Sequence, residues 1–131
     1  MLSRSAVEAN IPAADLGRAR EFYADKFGLT PVAELPGPTL RYQTGAGTFF
    51  NVYETQYAGQ AGHTIAQFHV DDVDGEVRDL IAKGVEFEVY DMPGVEWNGK
   101  VANLPGLGKA GWFKDSEGNI LCIDSGPPAT S

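Results

Sequence analysis

Two side chains in this 131-residue chain have the chemistry to move a proton near neutral pH, His69 and Glu8. An imidazole titrates there without assistance. A carboxyl does so once it is stripped of water, and strand parity sets Glu8 among Asn10, Phe49 and Tyr53, where it would be basic enough to take a proton from a carbon beside a carbonyl. The plainer alternatives are a hydrogen-bonded surface histidine and a carboxylate paired with Arg41, since buried charges are normally paired. Cys122, the one cysteine, would need an electropositive neighbourhood to act as a nucleophile. With 10 Lys plus Arg against 18 Asp plus Glu the chain does not offer one, so an inert buried thiol is expected. Around these groups, Asn51 and Gln67 could orient a substrate, and Tyr42, Tyr53, Trp97 and Trp112 could stack on a flat one.

Other chemistries find no footing in the sequence. Gly45-Ala46-Gly47 sits between two strand-like runs and lacks the helix and lysine of a nucleotide loop, so it is expected to be a hairpin turn. A formal net charge of −8 repels phosphate backbones and anionic lipids, which speaks against nucleic acid or membrane partners. The chain opens without the apolar run of a secretion signal, and the cytoplasm is the expected compartment.

These groups act together only if folding brings them to one surface. Residues 15–28 place Leu16, Ala19, Tyr23 and Phe27 on one helical face, with Asp15 as N-cap and Gly28 as stop. Residues 72–84 repeat the design with Val73, Val77, Leu80 and Ile81 inward, between Asp72 and Gly84. Strand-like runs surround each helix: 6–11, 29–35, 40–44 and 48–53 in the first half, then 65–70, 85–90, 109–114 and 119–124 in the second. The order strand, helix, strand, strand, strand is thus written twice, in modules of about 5–56 and 63–125 within one unit spanning the chain. The Gly- and Pro-rich segment 91–108 is expected to be a binding-site flap, 115–119 a hairpin turn, and 126–131 a frayed tail.

Because alternate residues of a strand share a sheet face, parity sorts the side chains. Val7, Ala9, Ile11, Phe50, Val52, Ala66, Phe68, Val70, Leu121 and Ile123 form an apolar face for the helices to cover. Opposite them lie Glu8, Asn10, Phe49, Asn51, Tyr53, Ile65, Gln67, His69, Ile120, Cys122 and Asp124. A few polar groups set among rings and aliphatic side chains have the composition of a small-molecule pocket.

The segments Ile11-Pro12-Ala13-Ala14-Asp15-Leu16, Arg20-Glu21-Phe22-Tyr23 and Phe27-Gly28-Leu29, with residues 68–74 and 112–119 in the second half, resemble the vicinal oxygen chelate superfamily. That family groups glyoxalase I, bleomycin resistance proteins and extradiol dioxygenases. The resemblance implies an α+β fold of two βαβββ modules whose curved mixed sheets enclose a cleft, often completed by a homodimer. It also implies a divalent metal held from the first and last strands of each module, at positions that carry over to Glu8, Asn51, Ile65 and Cys122. Only Glu8 suits a hard cation, so no metal is expected; a displaced set of Glu8, His69 and Cys122 is the alternative. The expected protein is a dimer that binds or transforms a small aromatic or carbonyl compound. Glu8 and His69 would be its catalytic groups, in a lyase, isomerase or hydrolase step. Asn10, Phe49, Asn51, Tyr53, Ile65, Gln67, Trp97, Trp112 and Cys122 would be its binding residues. A metal-dependent enzyme with displaced ligands and an antibiotic-sequestering protein are the competing readings.

Overall fold

The computed structural model describes residues 1–126; residues 127–131, most of the tail expected to fray, lie outside the described residues. In the first half β1 (Ala9–Ala13) leads into α1 (Leu16–Phe27), followed by β2 (Ala33–Leu35), β3 (Thr39–Gln43) and β4 (Phe49–Glu54). In the second, β5 (Thr64–His69) leads into α2 (Val73–Ala82). After it come β6 (Phe87–Glu88), β7 (Glu96–Asn98), β8 (Val101–Leu104), β9 (Gly108–Lys114) and β10 (Ile120–Asp124). One sheet has the order β1-β4-β3-β2, the other β5-β10-β9-β8-β7, with β6 also paired to β9. β1 and β5 run parallel to β4 and β10, whereas the remaining pairs are antiparallel, so both sheets are mixed and the class is α+β.

Both helices begin where the sequence places them. The Asp15 carboxylate accepts from the Arg18 amide at 3.0 Å, and Asp72 does the same for Gly75, each satisfying a donor that the first helical turn leaves free. Gly28 closes α1 at φ +68°, a conformation that glycine adopts without penalty. The faces they bury meet in one core, to which Ile11, Tyr23, Tyr42, Phe50 and Val52 come from the first half and Val77, Leu80, Phe87, Phe113, Leu121 and Ile123 from the second. Fully burying side chains of this size is worth about 1.5–3 kcal/mol each.

Parity is kept in the strands but not everywhere at their ends. Val7 is 95% exposed because β4 offers β1 partners only from Ala9 onward and nothing holds residues 6–8 against the helices; Ala9, the first paired residue at this strand end, is exposed as well. Ile81 turns to solvent, one position past the stripe set by Val73, Val77 and Leu80. Tyr42, a stacking candidate by type, faces the core: it is fully buried, stacks on Phe50, and its hydroxyl has no partner among the described residues.

The larger correction concerns the second half. The second strand of its module is not 85–90, of which only Phe87 and Glu88 pair with β9, but β8, drawn from the segment expected to be a flap. Val101 and Ala102 are buried there, and β7 returns beside β8 through a tight turn at Gly99 and Lys100. The free edge of β9 is shared lengthwise, with β6 opposite Trp112 and Phe113 and β8 opposite Gly108 to Ala110.

The turn between β9 and β10 does more than reverse the chain, because it is the joint between the halves. Asp115 accepts from the amides of Glu117 (2.9 Å) and Asn119 (3.0 Å), from the Asn119 side chain (3.0 Å) and from the Tyr23 hydroxyl of α1 (2.8 Å). Glu117 receives the Asp15 amide at 2.9 Å and two guanidinium bonds from Arg18, and Asn119 donates to the Pro12 carbonyl at 2.7 Å. The linker closes over this turn at Gly59, where φ is +74° and any Cβ would stand 2.7 Å from the Glu117 carbonyl oxygen. Only glycine fits there.

Candidate functional site

The faces turned away from the helices carry most of the candidate residues, divided between the two sheets; Ile65, expected to line the cleft, instead packs against the core where the β5–β10 register slips. On the first, Asn10 and Asn51 are ladder partners and the Asn51 amide donates to Asn10 at 3.2 Å. Arg41, opposite Asn51 on β3, reaches Glu8 at 3.1 Å and lies 4.2 Å over the ring of Phe49. Glu8 is therefore a paired, partly exposed carboxylate and not an isolated one. Tyr53 stands in solvent at the far end of the strand.

On the second sheet the ladder sets out two rows. Gln67, Cys122 and Trp112 are successive partners across β5, β10 and β9. One step on, His69, Asp124, Ala110 and Ala102 form the next row. Trp112 is braced by Trp97 of β7 at 6.0 Å between centroids and by Tyr90 at 5.8 Å, so the hairpin that replaced the expected flap stands as an aromatic wall at the edge of this face. Leu104 and Leu107 rise beside it. A concavity of about 330 Å³ results, lined by Gln67, His69, Trp112, Cys122, Asp124 and these leucines, and its size is within the range of small-molecule sites. A second trough of about 480 Å³ runs along the β1 and β5 edges, where Ala9, Phe49 and residues of the 44–48 turn meet Gln67 and His69. Neither hollow is lined by Glu8, Asn10, Asn51, Tyr53 or Ile65. Within one chain the residues expected around one cleft are thus split.

Two of the groups on the second face have settled chemistry. Burial pushes the Cys122 thiol up to about 12, with the negative charge of Asp124 adding to it, so the sulfur keeps its proton and is no thiolate nucleophile. Burial and the neighbouring Glu88 likewise hold the Tyr90 phenol, which donates to that carboxylate at 2.5 Å, up at about 12. His69 presents its Nδ1 2.5 Å from Asp124 Oδ1. Nothing in the residues around Asp124 marks it for a role. Only the parallel pairing of β5 with β10, which no local pattern announces, aligns it with His69.

The metal that the resemblance implies does not fit these residues. The ladder shows that Asn51 and Cys122 share their rows with Asn10 and Gln67, not with Glu8 and Ile65. The equivalent positions therefore offer three amides and a protonated thiol. Such a set lacks the anionic oxygens a hard divalent ion prefers and the thiolate a softer one needs. Glu8 is taken up by Arg41 and His69 by Asp124. Among the described residues no three His, Cys, Asp or Glu side chains are grouped so as to hold a metal ion.

Comparison with known proteins gives the same fold. Residues 6–123 match the model of the Glyoxalase/Bleomycin resistance protein/Dioxygenase superfamily. A mutant of the fosfomycin resistance protein FosX from Listeria monocytogenes was solved with manganese(II) and 1S,2S-dihydroxypropylphosphonic acid. It superposes with a TM-score of 0.67 at 17% identity, over 94% of this chain and 90% of that one. The lactoylglutathione lyase of Agrobacterium tumefaciens gives a TM-score of 0.69 at 21% identity, over 92% of both chains. Likeness at these identities speaks for the fold alone. No curated protein matches the chain.

Proposed function

From membership of the Glyoxalase/Bleomycin resistance protein/Dioxygenase superfamily, to which this chain belongs, we propose a small-molecule protein that works without a divalent metal. Its ligand is a partly apolar aromatic or carbonyl compound, held on the outer face of the second sheet. The observation that carries this is the 330 Å³ concavity, where an aromatic and aliphatic wall faces the amide of Gln67 and the imidazole of His69. Apolar walls supply affinity for a flat ligand and the few polar groups orient it. Proton transfer falls to His69, the candidate base that lines the hollow, since Glu8 is held by Arg41 on the other sheet. A lyase, isomerase or hydrolase step beginning with loss of a proton next to a carbonyl suits this arrangement.

The chain has two tryptophans; Trp112 lines the hollow and Trp97 packs against it, so intrinsic fluorescence reports this site. Acetophenone and 2-naphthaldehyde are expected to quench it saturably, and Trp112→Ala to weaken that binding by roughly tenfold or more, as loss of a central aromatic contact does. Protein as purified is expected to carry no stoichiometric nickel, zinc, manganese or iron by elemental analysis. Stoichiometric metal would overturn the metal-free reading, and a linear, unsaturable quench the binding site itself. Loss of turnover with retained quenching in His69→Ala marks an enzyme; a sequestering protein would show saturable quenching and no turnover in either the native chain or the variant.

We place this protein in the cytoplasm as a homodimer. β1 and β5 each end their sheets, and the trough along those edges is partly apolar, so a second copy can bring the first-sheet face of one chain opposite the second-sheet face of its partner. Sedimentation equilibrium should give twice the chain mass of 14.1 kDa, and a strict monomer at working concentration would refute the assembly.

A further inference from the structure

The geometry assigns Asp124 as the positioning residue that holds His69 in the tautomer with a hydrogen on Nδ1, leaving Nε2 free to take a proton from a ligand in the concavity. This rests on the proposed reading of that hollow, but the pair itself is legible from the ladder. Asp124 and His69 are direct partners on β10 and β5, and the backbone between them is pinned where the Val70 amide donates to the Asp124 carbonyl at 2.8 Å. Asp124 Oδ1 lies 2.5 Å from His69 Nδ1 and accepts the Gly126 amide at 2.9 Å, while the Cys122 thiol donates to Oδ2 at 3.9 Å. Both Asp124 oxygens already accept from other donors, the Gly126 amide at Oδ1 and the thiol at Oδ2, so the side chain meets the ring as an acceptor and Nδ1 is the nitrogen that carries the hydrogen. Gly126 lies beside the ring: a Cβ built there would stand 3.6 Å from His69 Cγ.

The other charged group in the same hollow is Lys109 on β9, and its ammonium is held by Asp74 at the start of α2. No second cation therefore competes for Asp124 among the described residues lining the site. The chemistry follows. As the substrate C–H bond breaks, the N–H bond forms at Nε2 and the electron pair passes onto the substrate's carbonyl oxygen as an enolate. The imidazolium so formed keeps its Nδ1–H on Asp124, whose charge stabilises it. Asp124 touches no reacting atom.

The test needs no substrate. The chain has two histidines, and in a His63→Ala background the nitrogen-15 spectrum of the remaining imidazole reads its tautomer at a pH where the ring is neutral. We expect the Nδ1–H form. Asp124→Ala should move the ratio toward Nε2–H by roughly tenfold or more, the factor that a hydrogen bond to a charged acceptor supplies, and Asp124→Asn, with a weaker acceptor in the same place, should fall between them. Amide dispersion shows whether each variant is folded, and the asparagine variant serves should the alanine one unfold. A wild-type ring already in the Nε2–H form, or a ratio unmoved in a folded variant, overturns the assignment. If the tautomer shifts but aromatic carbonyl probes do not bind, the positioning stands and the ligand reading falls.

Discussion

Asp115→Ala is expected to destabilise the protein by about 3–5 kcal/mol, a large part of the 5–15 kcal/mol that holds a typical domain. The side chain is nearly inaccessible and takes four hydrogen bonds, two from amides of its own turn, one from Asn119 and one from the Tyr23 hydroxyl across the joint. Removing it strands all four donors away from water, and the cost of leaving buried donors unpaired exceeds the net value of the bonds themselves. Tyr23→Phe removes a single donor from the same group and should cost only about 1–2 kcal/mol. Since the two side chains share a bond, the double variant should lose less than the sum of the single losses. Urea unfolding followed by circular dichroism measures all three. A loss for Asp115→Ala within about 0.5 kcal/mol, as for an ordinary surface position, would show that the turn does not join the halves.

This joint illustrates where the sequence stops being legible. The helices could be placed because an N-cap, an apolar stripe and a terminal glycine all lie within a dozen neighbouring residues. The sorting of Ile11, Phe50, Val52, Leu121 and Ile123 to the core followed from alternation alone. By contrast, the turn chemistry of residues 115–119 announces a hairpin, while its partners Asp15 and Arg18 lie about a hundred positions earlier and leave no local trace. Val7 went astray for a related reason: alternation extends a strand on paper until a charge or proline interrupts it, but the real strand ends where its partner ends. The hairpin of β7 and β8 is hidden by Gly99 and by the glycines and prolines that flank it, which argue for loop, although Val101 and Ala102 find a sheet edge to pair with. The same insertion carries Trp97 to Trp112, so the wall of the candidate site was visible as residue types and not as a place. A parallel register is set only when two distant strands meet, and with it came both the His69–Asp124 pair and the division of the expected cleft between two faces.

Acid should destabilise the fold through this joint. Burial by itself raises the Glu117 carboxyl, but the Arg18 guanidinium, the Asp15 amide and the Ser116 hydroxyl outweigh it and hold the group at about 2 instead of 4.5. The sign follows from linkage: a carboxyl more acidic in the folded chain than in the unfolded one stabilises the fold above the unfolded value. That contribution fades as pH drops from 4.5 toward 2. Arg18 is half exposed, and water around it screens the pair, so the pH-dependent part amounts to about 2 kcal/mol and not the larger figure that the shift alone would give. Glu117→Gln keeps the shape and one acceptor for the Asp15 amide while removing the charge. At neutral pH it should therefore be less stable than the native chain by about 2 kcal/mol, and the two should converge as the pH approaches 2. Stability measured by urea titration across that window decides the matter. A gap between the two proteins that stays constant down to the acid limb would mean that Glu117 titrates normally, and that its bonds to α1 contribute nothing beyond those of a neutral side chain.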